Sequence, residues 1–229
     1  MLENFLASFS IENREEKIKQ FSLFREYLLE QNKLFNLTAV TDEKEIERRH
    51  FLDSLAAIPF IKGDVLDIGS GAGFPSVPLK IVYPQNHFTL VDSLLKRVVF
   101  LKRVFSLLSL NDCTAIHTRI EDFEKKGAFD TVLSRAVARM NTLCEYALPF
   151  VKIGGTFIAY KTQGKELEEE LKEAKKAIAV LGGEVERVVN VAYKEINDLH
   201  HALVLIKKTK ETPVRYPRGK NKPKTQPIV

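Results

Sequence analysis

The stretch that most constrains this chain is Val65-Leu66-Asp67-Ile68-Gly69-Ser70-Gly71-Ala72-Gly73-Phe74-Pro75. A short apolar run ends in three glycines at alternate positions and leads into a segment able to open a helix. It reads as strand, tight turn and helix N-terminus. Glycine suits such a turn because the backbone takes an unusual φ and approaches a ligand with no Cβ in the way. That is the geometry of a nucleotide cradle. No Gly-Lys-Ser/Thr follows, so it is not a phosphate loop. It also departs from G-x-G-x-x-G, since Phe74 stands three residues after Gly71 and the third glycine arrives one position early.

The resulting D-x-G-x-G-x-G resembles motif I of class I S-adenosylmethionine (AdoMet) methyltransferases. A second apolar run, Phe88-Thr89-Leu90-Val91, ends in Asp92, 19 positions after Gly73. An acid about 20 residues on, at the tip of the neighbouring strand, is placed to accept both hydrogen bonds of a ribose diol. The same carboxylate is able to cap a helix starting near Ser93, and one residue could serve both purposes.

At 229 residues and 45% hydrophobic content the chain has room for one large domain and a small extension. No stretch approaches the roughly 18 apolar residues of a membrane helix, and the start Met1-Leu2-Glu3-Asn4 lacks the basic residues of a signal peptide. A cytoplasmic, membrane-free and monomeric protein is the expectation. Cys113 and Cys144 are the only cysteines, which leaves no disulfide framework and no Cys-based metal spacing. His200 and His201, adjacent on an expected strand, would point to opposite faces and could not chelate together. No metal is expected.

The net charge of +5 is concentrated at one end. Residues 207–229 hold eight Lys or Arg against Glu211, a balance of +7, so the other 206 residues sum to −2. A basic segment of this kind is either a solvated tail or the footprint of a nucleic-acid partner.

Three regions follow: a helical region 1–60, a methyltransferase domain 61–207 and a basic tail 208–229. Ile18, Phe21, Phe24, Tyr27, Leu28 and Phe35 fall at helical spacing. Asp42 and Glu45 form a capping box for a helix through Ile46, Phe51, Leu52 and Leu55, ended by Pro59. From Asp64 on, strands (64–68, 87–91, 113–117, 129–134, 155–160) alternate with helices (76–83, 94–109, 138–150, 163–181), the pattern of a mostly parallel sheet covered on both faces. Gly154-Gly155 and Gly182-Gly183 read as turns at helix ends. Two last apolar runs, 184–192 and 199–206, are too close for a crossover and predict an antiparallel hairpin.

Ligands of open α/β sheets bind beyond the carboxyl ends of the strands. That directs attention to Thr118-Arg119-Ile120-Glu121-Asp122, able to read an adenine amino edge, and to Ser134-Arg135-Ala136. No Asn/Asp-Pro-Pro-aromatic motif of amino-group methyltransferases stands there. Cys144 lies in an apolar helical context unlike that of a nucleophilic thiolate.

Taken together, the residues resemble the ribosomal RNA small-subunit methyltransferase G (glucose-inhibited division protein B) family almost end to end. The likeness is carried by Asn36-Leu37-Thr38, Arg49-His50-Phe51-Leu52-Asp53-Ser54, the glycine motif, Leu90-Val91-Asp92-Ser93 with Lys96-Arg97, Ser134-Arg135-Ala136, Lys161 with Gln163, and Thr212-Pro213 with Tyr216-Pro217-Arg218. It implies a class I fold, a Rossmann-like seven-stranded sheet with its last strand antiparallel. It also implies AdoMet-dependent N7 methylation of guanosine 527 in the 530 loop of 16S rRNA, as naked RNA or in the small ribosomal subunit. Position by position, the resemblance gives Gly69, Phe74, Ile120, Glu121 and Arg135 as cofactor residues, to which Gly71, Gly73 and Asp92 are added from the motif itself. The expected RNA contacts are Arg48, Arg49, His50, Lys161, Arg215, Arg218 and Lys220, with Arg135 ordering the cofactor edge or the base. Gln31 and Ser76 stand where the family often has Trp and Gly, and the Gly/Pro spacing after Arg218 differs.

Guanine N7 carries a lone pair and no proton, so attack on a sulfonium methyl needs no general base. Catalysis by alignment is worth up to about 7–11 kcal/mol. The alternatives on the same fold are a methyltransferase for another RNA, a small molecule or a protein. Beyond these stand a nucleic-acid-binding module without catalysis and an NAD-dependent enzyme.

Overall fold

The computed structural model describes residues 1–229. Its centre is one sheet of seven strands: β1 (Val65–Ile68), β2 (Phe88–Asp92), β3 (Cys113–His117), β4 (Phe129–Arg135), β5 (Val151–Thr162), β6 (Gly183–Asn190) and β7 (His201–Lys208), in the order β3-β2-β1-β4-β5-β7-β6. The pairs among β1 to β5 are parallel, while β7 runs antiparallel to both β5 and β6. Only the last strand is reversed. The link before it is too short for a crossover, so the chain turns back on itself.

Helices α5 (Ser76–Val82), α6 (Leu95–Leu107), α7 (Met140–Ala147) and α8 (Lys165–Val180) fill the expected intervals. Boundaries shift by a few residues at several elements, β5 running Val151–Thr162 rather than 155–160, and two departures have a clear local cause. The helix expected over 138–150 stops at Ala147 and tightens into a 3-10 turn, Leu148–Phe150, where Pro149 has no amide to donate. Gly154-Gly155 is not a turn at all. Strand β5 runs through it, with Gly154 at φ +83° and the register against β4 shifting between Phe129 and Thr131.

Strand alternation divides the core between the two faces of the sheet. Val65, Phe88, Leu90, Leu133, Ile158, Leu203 and Leu205 point to one face. There they meet α5, α6, α1 (Leu2–Ser8) and α2 (Arg14–Phe35), whose Phe21, Phe24 and Leu28 form the predicted apolar stripe. Leu66, Ile68, Val132, Phe157, Ala159 and Val204 point to the other face, under α7 and α8. The N-terminal helices thus share a core with the sheet.

Between α2 and the sheet lies a composite helix: α3 (Glu43–Ile46), a π-helical stretch Glu47–Leu52, and α4 (Asp53–Leu55). Only half of the expected capping box forms. Asp42 accepts a hydrogen bond from the Glu45 amide, but the Glu45 carboxylate is taken by Arg48 and Arg49.

The C-terminal segment folds back onto α7. Tyr216 is buried, Arg218 grips the fully buried Glu145 in a two-pronged ion pair, Thr142 donates to the Pro223 carbonyl, and a short helix α9 (Lys222–Thr225) follows. Lys208 ends β7 as a buried ammonium that donates to the Leu181 carbonyl and the Thr212 hydroxyl, and burial lowers its pKa to about 8. The charge asymmetry seen in the sequence is therefore partly internal structure. No helix is long and apolar enough to cross a membrane.

Candidate functional site

The glycine turn leaves β1 at the edge of the sheet. Gly69 and Gly71 hold φ at +68° and +56°. A Cβ on Gly69 would stand 2.6 Å from Cγ2 of Val137, which would have to move aside, and the positive φ favours glycine whatever the space. Asp92, at the tip of β2 and 3% exposed, ties the turn down. Its Oδ2 accepts from the Gly71 amide at 2.9 Å and its Oδ1 from the Leu94 amide at 2.9 Å. Arg97 reaches Oδ2 at 3.3 Å. One carboxylate thus steadies both the turn and the approach to α6, and receiving two ribose hydroxyls would require Arg97 to give way.

Beyond these residues opens a cleft of about 360 Å³, lined by Gly69, Asp92, Ile120, Glu121, Tyr146 and, from the C-terminal segment, Asn221. Glu121 is held by Arg119 at 2.9 Å. Beneath the turn, Asp67 is fully buried in the middle of an apolar strand. Neither of its oxygens has a hydrogen-bond partner of good geometry, Ser76 eases its charge only in part, and the hydroxyls of Ser70 and Ser76 are also unmatched. Burial pushes the Asp67 carboxyl up to about 7. A buried carboxylate without a donor is costly unless something brings one. AdoMet carries an ammonium and a sulfonium. Asp92 suits its ribose diol and Ile120 with Glu121 its adenine edge, while Asp67, sealed beneath the turn and lining neither cleft, meets the cationic end only as a nearby charge.

A second cleft of about 370 Å³ adjoins the first and shares Ala136 and Ala138 with it. Arg135, Tyr160, Lys161 and His201 line it from the sheet edge, and Arg49, His50 and Asp53 from the composite helix. Arg135 is tightly held. Its Nη1 donates to Asp53 Oδ2 at 2.8 Å and to the Arg49 carbonyl at 3.2 Å, and its Nη2 donates to His50 Nδ1 at 2.9 Å. Since Nδ1 accepts, Nε2 of His50 carries the proton and donates to Thr38 Oγ1 at 2.7 Å. Burial, followed by the neighbouring Arg135 cation, lowers the His50 pKa to about 4, so the ring is neutral. It lies face to face with Phe74, centroids 4.4 Å apart, and the Arg135 guanidinium sits 5.5 Å from the centre of the same ring. The other Asp53 oxygen accepts from His201 Nδ1 at 2.6 Å.

The structure gathers the sequence-derived candidates unevenly. Gly69, Asp92, Ile120 and Glu121 line the first cleft; Arg135, Arg49, His50 and Lys161 line the second. Gly71 and Gly73 shape the turn without lining either cleft, and Phe74 is packed among Phe24, Phe51 and His50. Arg48 is committed inside the protein, to Glu45, to both oxygens of Asp198 and to the Glu195 carbonyl, so it braces the β6–β7 link. Arg218 is likewise spent on Glu145, and Lys161 on Glu170. Arg215 and Lys220 are exposed and have no ion-pair partner. His200 is not in β7 but precedes it at φ +50°, which leaves His201 alone to face the cleft. Asp67, His201 and Asn221 were not singled out as site residues; Asp53, one of the motif residues that carry the family likeness, holds Arg135 and His201. An acid inside the run Val65–Ile68 was the available signal for Asp67.

Cys144 is fully buried and desolvation raises its pKa far above the thiol range, while burial pushes Cys113 up to about 11. Neither supplies a thiolate.

A mixed seven-stranded sheet reversed only at β7, with a glycine turn after β1 and an acid at the tip of β2, defines a class I AdoMet-dependent methyltransferase. Among solved structures, a SAM-dependent methyltransferase of Aquifex aeolicus superposes with a TM-score of 0.53 over 72% of this chain and 93% of its own, at 17% identity, a likeness of fold. The family model for rRNA small subunit methyltransferase G matches residues 17–200. The chain is 43% identical over 236 residues to the ribosomal RNA small subunit methyltransferase G of Alkaliphilus oremlandii, covering 100% of this chain and 98% of the relative. Its Lactococcus lactis counterpart is 43% identical, with 97% and 96% covered. The chain belongs to the rRNA small subunit methyltransferase G family and is an AdoMet-dependent rRNA methyltransferase.

Proposed function

We propose that the chain methylates N7 of guanosine 527 in the 530 loop of 16S rRNA, on the small ribosomal subunit or its assembly intermediates, as a cytoplasmic monomer. The observation that carries this is the pair of clefts meeting at Ala136 and Ala138, one lined by Asp92, Ile120 and Glu121 as a nucleoside requires, the other open to a flat ring beside Arg135 and Tyr160. AdoMet supplies an electrophilic methyl group. Held beside Asp92, Ile120 and Glu121, it would give that methyl to N7 with the bond's electron pair returning to sulfur, so that the positive charge would pass from donor to base.

The side chains suit a nucleophile that arrives with its lone pair ready. His50 has both nitrogens engaged and is no free base; Arg135 is neutralised by Asp53, so the second cleft does not repel a base acquiring charge. The chain's task is orientation and exclusion of water. N7 faces the deep, narrow groove of A-form RNA, so the guanosine must lie in a loop or be drawn out. Lys220, next to Asn221 of the first cleft, and Arg49, on the rim of the second and paired there with the half-exposed Glu45, supply phosphate contacts, and Arg215, toward the opposite end of the sheet, extends the basic surface.

The test is reaction of the full chain with labelled AdoMet and either 16S rRNA or small subunits, followed by chemical cleavage at 7-methylguanosine and mapping. One site in the 530 loop is expected. Label elsewhere in RNA, or only on a metabolite or a protein, overturns the proposal.

A further inference from the structure

The wall between the two clefts is three residues thick, 136–138. Ala136 and Ala138 face both sides, and Val137 places Cγ2 2.6 Å from where a Cβ on Gly69 would stand. Ala136 holds φ at +56°, a conformation a residue with a Cβ keeps only when its surroundings impose it. At one end the imposition comes from Arg135 and its partners Asp53, His50 and the Arg49 carbonyl. The other end has its own anchor. Lys161 Nζ donates to the Ala138 carbonyl at 3.0 Å and to Glu170 Oε2 at 2.6 Å, and that oxygen also accepts the amide of Met140, the first residue of α7, at 2.9 Å. Both side chains of the pair are nearly sealed from water, at 14% and 8% exposure. A buried pair of this kind contributes little net stability, and what it fixes is geometry.

We propose that Lys161 and Glu170 are positioning residues for methyl transfer: together they fix the wall, and with it the separation and angle between the donor methyl and the acceptor nitrogen. This rests on the two-cleft reading given above. Lys161 spends two of its donors on its own chain, so it acts through the backbone at Ala138 rather than as a grip on phosphate. Transfer in line is sensitive to such an anchor, because a displacement of about 1 Å costs on the order of 10²-fold in rate.

Full-length Lys161→Met, Glu170→Gln and the double variant are compared with wild type and with Glu169→Gln, an exposed neighbour on α8. The measurements are kcat and KM on small subunits, AdoMet affinity by calorimetry, and rRNA affinity against salt. Each single variant is expected to lose roughly 10–100-fold in kcat. KM for RNA and the salt slope should stay as in wild type, and the double variant should be no worse than the worse single one because the pair acts as a unit. Glu169→Gln should keep its kcat. An unchanged kcat in both variants overturns the proposal. So does a raised RNA KM in Lys161→Met with a salt slope shallower by about 0.7, the mark of a lost phosphate contact. If Lys161→Met does not fold, the isosteric Glu170→Gln decides alone. A wild-type chain that methylates no rRNA overturns the two-cleft reading itself, whereas an active wild type with unaffected variants overturns only the anchor.

Discussion

Arg135 and Asp53 stand 82 positions apart in the chain, yet Nη1 of one lies 2.8 Å from Oδ2 of the other, both largely shielded from water. This contact joins the end of β4 to the composite helix. Removing one member of a buried pair leaves an uncompensated charge, at about 3–5 kcal/mol. Asp53→Ala should therefore lower unfolding stability by that order in a urea titration. The double variant Asp53→Ala with Arg135→Ala should recover part of the loss, because no lone charge remains.

Asp67 should make cofactor binding depend on pH. Its folded pKa is raised to about 7 from 3.8, so the native state holds a proton that the unfolded chain releases, and this group's contribution to stability falls as pH rises from about 4 to 7. The full difference is on the order of 4 kcal/mol. Asp67→Asn should be more stable than wild type at pH 8 without ligand and should bind AdoMet more weakly. In calorimetry the wild-type affinity should climb through pH 7, and the variant's should stay flat.

His50 acts in the opposite direction. Its folded pKa is lowered to about 4 from 6.5, so its contribution is fully present above pH 6.5 and is lost as pH falls to 4. The size is on the order of 3 kcal/mol. Because the slopes of Asp67 and His50 partly cancel, the quantity to read is the difference between wild type and His50→Gln. That difference should grow with pH over this range and level off above 6.5.

The basic C-terminal residues should separate into two kinds. Arg215→Ala and Lys220→Ala remove exposed cations, and each should make the salt slope of RNA binding shallower by about 0.7–0.9 without affecting folding. Arg218→Ala strands the fully buried Glu145 carboxylate. It should cost about 3–5 kcal/mol of stability, seen as a lowered urea midpoint, whatever RNA does.

Much of this molecule was legible in the chain itself. The motif from Val65 to Pro75 and Asp92 were readable because strand, turn and acid are local in sequence, and the alternation of apolar runs gave the strands in order. Pairs made across long separations were not legible. Nothing in the spacing of Arg48 and Arg218 distinguishes a cation destined for Asp198 or Glu145 from one that awaits a phosphate, since both look like surface charge until the partner element arrives. Lys161 and Glu170 are only nine positions apart, but an acid turned to the buried face of α8 looks in the sequence like one of that helix's many exposed glutamates. The π-helical stretch at Glu47–Leu52 was invisible because its apolar residues still satisfy an α-helical period over so short a span. Asp67 was in plain view within a hydrophobic strand, where a carboxylate is costly and therefore stands out.

Because β7 points the opposite way from its neighbours, it delivers its first residue, His201, to the rim where every other strand delivers its last. The loop ahead of it, residues 191–200, takes no part in strand pairing yet is anchored: Ile196 is fully buried, Tyr193 packs on Phe5 and Phe9, and Arg48 holds Asp198 and the Glu195 carbonyl. The reversed strand thus ties the rim of the acceptor cleft to the N-terminal helices, and a change in those helices would be felt at the rim.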